Sequence, residues 1–128
     1  MERSCLSGRV VLVVEDEPLV ALDIVDLLNE FGATVLTARN VPDALALIAR
    51  ANICSAVLDI NLVGDDCAPI CHHLSQRGIP FLFHTGYSDA PVLIKWSAAP
   101  VLRKPASGER IVEALTGLNY ALHRSHGT

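Results

Sequence analysis

Short apolar runs recur along the chain at strand length: Val10–Val14, Thr34–Thr37, Ser55–Leu58, Pro80–His84 and Val101–Leu102. Most are rich in β-branched residues or Phe, which suits extended backbone. Between them the apolar spacing becomes helical. Pro18–Phe31 carries Leu19, Leu22, Val25, Leu27, Leu28 and Phe31, with Gly32 as a stop just beyond. Val41–Arg50 opens on Pro42 and Asp43 and repeats Ala44, Leu45, Leu47 and Ile48. Asp66–Arg77 ends at Gly78, Gly108–His123 follows Ser107 as an N-cap, and Asp89–Ala99 reads as one short helix between Pro91 and Pro100. Five strands alternating with five helices predict a doubly wound α/β domain. Several strands are apolar throughout instead of alternating, as a parallel sheet buried on both faces requires.

Sites in such sheets form at the carboxyl ends of the strands. The first strand runs into Glu15 and Asp16, the third into Asp59, the fourth into Thr85, and the fifth into Lys104 and Pro105. Two unit charges about 4 Å apart repel by around 4 kcal/mol at an effective dielectric of 20. Glu15, Asp16 and Asp59 therefore need compensation to share a pocket. A divalent ion provides it, and Mg²⁺, or Mn²⁺ in its place, suits an all-oxygen donor set and phosphate oxygens. Lys104 adds a cation and Thr85 a hydroxyl. An anionic phosphoryl group held by metal, ammonium and hydroxyl would be open to attack by an Asp59 oxygen, giving an acyl phosphate.

Composition narrows the surroundings of this chemistry. In 128 residues, 51% are hydrophobic and 19% charged, which fits one folded domain and argues against disorder. The net charge of −4 and the lack of any Lys/Arg run leave no footprint for nucleic acid. No apolar stretch reaches bilayer length and the first residues lack the apolar segment of a signal peptide, so neither membrane nor export is expected and the location is read as cytoplasmic. Cys5, Cys54, Cys67 and Cys71 follow no C-x-x-C spacing and read as reduced, packed thiols, the last two on one helix face. The five histidines read as solvated or packed, not as ligands.

VLVVEDEP, VLDINL around Asp59, FLFHTGY around Thr85 and LRKP around Lys104 occur in that order over nearly the whole chain. Together they resemble the receiver domain of two-component response regulators, with strand order 2-1-3-4-5 and a domain over residues 9–123 between short tails. The resemblance implies a signalling domain, not an enzyme. Asp59 would accept phosphate from a phosphohistidine on a histidine kinase or histidine phosphotransfer protein. Asp16, Asp59 and the backbone carbonyl of Asn61 would bind Mg²⁺, with Glu15 acting through metal-bound water, and Thr85 and Lys104 would grip the phosphoryl oxygens. It further implies a cis peptide at Lys104–Pro105, which proline makes inexpensive.

IPFLFHTGYSD and the loop NLVGDD are similar to the FATGUY subgroup of receivers, with His84 where that motif has Ala. The position three before the strand-five lysine is commonly aromatic in receivers and moves with the threonine on activation. Here it is Val101, and Ala106 replaces the Phe usual after Lys-Pro. Thr85, Tyr87 and Val101 are thus the switch candidates, with Tyr87 a substitute reporter, a shield against attacking water, or a residue packed on the fourth helix. Only HRSHGT follows the last helix, so the expectation is a stand-alone receiver that acts on an unknown downstream protein or serves as a phosphate relay or sink. Two other readings stay open at this point. One is an aspartate-nucleophile phosphohydrolase, although its nucleophile follows the first strand in a D-x-D pattern and this chain offers E-D-E there. The other is an adaptor that keeps the fold without being phosphorylated.

Overall fold

A computed structural model describes residues 3–62, 65–86 and 90–126, with only the backbone described at residues 65 and 119–126. The five apolar runs form one parallel sheet: β1 (Val10–Val14), β2 (Thr34–Ala38), β3 (Ser55–Leu58), β4 (Phe81–Thr85) and β5 (Val101–Arg103), in the order β2-β1-β3-β4-β5. The intervening helices are α1 (Pro18–Glu30), α2 (Val41–Arg50), α3 (Ala68–Gln76), α4 (Pro91–Lys95) and α5 (Gly108–His126). The 2-1-3-4-5 order of the sequence reading is the order of the sheet.

Because side chains alternate across a strand, the sheet separates two cores. Leu12, Val14, Leu58, Phe81 and Phe83 face Ile48 of α2 and Ile70, Cys71 and Leu74 of α3. Val11, Val13, Val57, Leu82 and Leu102 face Ile24 and Leu28 of α1 and Ile111, Val112 and Leu115 of α5. Leu6, ahead of β1, is fully buried in the second core and its N–H bonds the Phe31 carbonyl at 2.9 Å, so packing begins before residue 9.

The helix boundaries follow local chemistry. Gly32 (φ +94°) and Gly78 (φ +69°) turn the chain after α1 and α3 through left-handed backbone, which only glycine adopts at low cost. Asn40 caps α2 by accepting from Asp43 N–H at 2.9 Å, and Ser107 accepts from Arg110 N–H at 3.3 Å as the N-cap of α5. An added Cβ at Gly108 would lie 2.7 Å from Leu27 Cδ1, so a residue without a side chain lets α5 begin against α1.

Two expected helices are shorter than the sequence pattern indicated. The segment 66–77 starts its helix only at Ala68, because Asp65–Asp66 pairs antiparallel with Asn61–Leu62 and Asp66 Oδ1 accepts the Ala68 N–H at 3.0 Å. Asp89 lies outside the described residues, and within 90–99 only Pro91–Lys95 is helical. Trp96 leaves helical backbone (φ −107°, ψ 46°) as its ring packs edge-on to Phe81 at 5.9 Å, and Pro100 then disfavours helical backbone at Ala99.

Candidate phosphoacceptor site

The carboxyl ends of β1, β3, β4 and β5 meet because ladder hydrogen bonds continue past the strands. Glu15 N–H donates to Ala38 O and Asp59 N–H to Val14 O, both at 3.0 Å, and Lys104 N–H donates to Thr85 O at 2.9 Å. These bonds align the residue after each strand with its neighbours. The result brings together residues up to 89 positions apart in the chain, from Glu15 to Lys104.

Glu15 and Asp59 are buried, with 2% and 4% of their surfaces exposed, and Thr85 is fully buried. Lys104 Nζ sits between the carboxylates, 2.8 Å from Glu15 Oε1 and 3.1 Å from Asp59 Oδ2. The contact with Asp59 is also a hydrogen bond. That with Glu15 is close in distance but poorly aligned for one, leaving Oε1 a buried oxygen held by charge. The other oxygens are held by backbone: Asp59 Oδ1 accepts Asn61 N–H at 3.1 Å and Glu15 Oε2 accepts Glu17 N–H at 3.2 Å.

Burial raises the Glu15 pKa above the ordinary carboxylate value; the Lys104 and Glu17 contacts oppose this, and the Asp59 charge reinforces it. For Lys104, burial pushes downward, yet the close contacts with the Glu15 and Asp59 carboxylates outweigh it and the net direction is up. The lysine therefore stays an ammonium, one cation among several acids.

Oxygens of Glu15, Asp16 and Asp59 lie within 4.8 Å of one another. Carboxylates of that spacing repel one another when charged, and Lys104 answers two of them, Glu15 and Asp59. The donor set is oxygen only, which fits Mg²⁺. The structure brings all the sequence-predicted strand-end residues, Glu15, Asp16, Asp59, Thr85 and Lys104, to one end of the sheet, with Asn61 tied to Asp59 through its N–H. Lys104–Pro105 is cis. Val101 stands on the edge strand with 38% of its surface exposed, and Tyr87 lies outside the described residues.

His84 is a buried polar residue that the sequence reading did not place. Its ring nitrogens have no hydrogen-bond partner among the described residues. It points to the α1/α5 side, as Leu82 does, away from Thr85, and the pattern of β4 alone would have shown this. The expectation for the thiols is met: Cys5, Cys54, Cys67 and Cys71 are free, and the last two are buried on α3 and at its start.

Comparison with known proteins agrees with this geometry. The family model described as "Response regulator receiver domain" matches residues 11–116. The chain is 30% identical over 124 residues to the Transcriptional regulatory protein TcrA of Mycobacterium tuberculosis, covering 91% of this chain and 49% of TcrA. It thus spans about half the length of the curated relatives it matches. Among solved structures, SdrG from Sphingomonas melonis Fr1 is 37% identical with a TM-score of 0.70, covering 90% of this chain and 98% of SdrG. A response regulator protein from Burkholderia pseudomallei, solved with a phosphorylated aspartic acid, a calcium ion and citrate, is 25% identical with a TM-score of 0.75, covering 93% of this chain and 73% of its own. With the match covering most of the chain and the fold agreeing, the protein belongs to the response regulator receiver domains of two-component signalling.

Proposed function

We propose that Asp59 is the phosphoacceptor of this receiver and takes its phosphoryl group from a phosphohistidine of a kinase or phosphotransfer protein. The observation that carries the reading is the convergence of Glu15, Asp16 and Asp59 oxygens within 4.8 Å, with Lys104 Nζ on two of the three. In the transfer, a carboxylate oxygen of Asp59 forms a bond to phosphorus as the phosphorus–nitrogen bond of the donor breaks. The imidazole leaves with the electron pair and takes up a proton. Lys104 already contacts the attacking carboxylate and is placed to neutralise a transferred phosphoryl oxygen. The Asn61 N–H holds Asp59 Oδ1 and so fixes the rotamer of the nucleophile. Thr85, at the end of β4, offers the hydroxyl for a second phosphoryl oxygen.

Glu15, Asp16, Asp59 and the Asn61 carbonyl are the residues that would hold Mg²⁺, or Mn²⁺ in its place. When bound, the ion lowers the repulsion between the acids and the incoming phosphoryl group. The phosphorylated aspartate and calcium in the Burkholderia pseudomallei protein support this reading by analogy. Exposed apolar side chains support signalling by protein contact. Leu19 and Leu22 on α1 are 77% and 54% exposed, and Ile94 on α4 is 76% exposed.

The test is labelling by acetyl phosphate at saturating Mg²⁺. Label on the wild type and on Asp16→Asn, with none on Asp59→Asn, is the expected pattern. Label retained by Asp59→Asn assigns the nucleophile elsewhere, and no label from any donor leaves an unphosphorylated adaptor.

A further inference from the structure

Between α1 and α5, on the face of the sheet where His84 points, lies a cleft of about 540 Å³. Its walls are mainly apolar, with Ile24, Leu27 and Ile111 among them, while Asp23, Asp26 and Glu30 stand at its α1 edge. These acids are exposed; Glu30 meets Arg3 at 3.4 Å, whereas Asp23 and Asp26 form no ion pair among the described residues. His84 and Lys104 line the inner side. The cleft is of the size that holds small organic ligands, and it combines apolar walls with a few polar groups as such sites do.

His84 is the feature that packing alone does not explain. A buried imidazole with neither nitrogen hydrogen-bonded forfeits interactions it would make in water, a cost that an apolar residue here would avoid. Burial, and after it the Lys104 charge, lower its pKa, with Asp59 opposing, so the ring is neutral. A neutral imidazole offers one N–H and one lone pair; both nitrogens are closed to solvent as the ring stands, and a half-turn about Cβ–Cγ, which exchanges its carbon and nitrogen edges, is the motion that would bring one to a ligand. A hydroxyl both donates and accepts and so matches either edge, whereas the nearby Lys104 disfavours a cation at the same depth. The acids of α1 favour a cation at the opposite end.

We propose that the α1–α5 cleft binds a small amphipathic amine, its ammonium against Asp23 and Asp26, its ring between Ile24, Leu27 and Ile111, and a hydroxyl on His84. The cleft shares Lys104 with the carboxylate cluster around Asp59, but its proposed contacts are to other residues and are tested on the unphosphorylated chain.

Tyramine is the probe, added to the whole unphosphorylated chain and followed by amide shifts in two-dimensional NMR. Saturable shifts centred on Ile24, Leu27, His84 and Ile111 are expected with a roughly millimolar Kd, the range open to so small a ligand. Phenethylamine, which lacks the hydroxyl, and 4-ethylphenol, which lacks the ammonium, should each bind about tenfold more weakly, the loss expected when one hydrogen-bonding or charged partner is deleted. His84→Leu should bring tyramine down to the phenethylamine level, and Asp26→Asn, a surface change that leaves the core intact, should weaken tyramine but not 4-ethylphenol. Absence of saturable shifts, or equal affinity for the three probes, or an undiminished affinity in both variants, would overturn the proposal.

Discussion

The two faces of the sheet solve packing differently although the same strands supply both. On the α2/α3 side, Phe81 and Phe83 stack edge to face at 5.6 Å, Trp96 extends the row, and β4 contributes these two rings before Thr85 at its end. On the α1/α5 side, β4 contributes Leu82 and then His84, and the helices leave a cleft beside the imidazole. One step along β4 thus separates a filled core from an open, polar-floored one. The carboxylate cluster sits at the end of the sheet between them, where Lys104 answers buried charge. The contrast teaches that buried polarity is compensated where two elements bring opposite charges together, and is left unpaired at His84, where no described residue hydrogen-bonds the ring.

The largest expected effect comes from the filled face. Phe83→Ala should lower the free energy of unfolding by about 3–5 kcal/mol, because a fully buried ring is removed from a core that cannot collapse around the space. Urea denaturation measures this, and a loss below about 1 kcal/mol would show that the two faces are equally loose.

Next comes the charge cluster. Lys104→Met leaves Glu15 and Asp59 buried without their cation. Removing one partner of a fully buried pair costs roughly 3–5 kcal/mol, but the Lys104 side chain retains 22% exposure, so about 2 kcal/mol is the expected loss in chelator at neutral pH. Adding Mg²⁺ should recover part of it.

His84→Leu sharpens the comparison from the other side. Replacing an unpaired imidazole with an apolar group of similar size should leave stability unchanged or raise it by about 1 kcal/mol. It should also change the pH dependence. The folded pKa of His84 is depressed, so the unfolded chain binds the extra proton, and the stability associated with a neutral ring is present above the ordinary histidine value of about 6.5 and is lost as the pH falls from there toward the folded pKa. Thermal melts of the wild type from pH 7.5 to 5 should show this decline, and the variant should lack that share of it. Glu15, with its raised pKa, acts in the opposite sense in both proteins, so an identical pH dependence in wild type and variant is the result that would contradict a neutral buried ring.

The smallest effects are at the helix caps. Asn40→Ala, losing a 2.9 Å bond to Asp43 N–H at the start of α2, should cost about 1 kcal/mol; Ser107→Ala, losing a longer 3.3 Å bond at α5, should cost about 0.5 kcal/mol.

Much of this architecture was legible in the chain. The apolar runs located every strand of the sheet because a parallel sheet buries both faces, so the strand signal is continuous and strong. The strand-end residues followed directly, since topology sends them to one edge. The parts that resisted have local causes. Nothing in NLVGDD announces the paired Asn61–Leu62 and Asp65–Asp66, which delay α3, and the Trp96 ring competes with helix continuation only once Phe81 is beside it. His84 was read as one scattered histidine because its environment depends on α1 and α5 meeting across the sheet. Its parity with Leu82 was the available signal. Of the three departures from the receiver patterns, His84, Val101 and Ala106, the first and last line the same cleft, a relation that no linear reading contains.

The most direct measurement is a Mg²⁺ titration followed through carboxyl carbon shifts in NMR, with the acids of α1 as the internal reference. Saturable shifts at Glu15, Asp16 and Asp59, with Asp23 and Asp26 unmoved and the response lost in Asp59→Asn, are predicted. A folded protein whose three strand-end carboxyls ignore the ion, or respond no more than Asp23 and Asp26, would contradict the account.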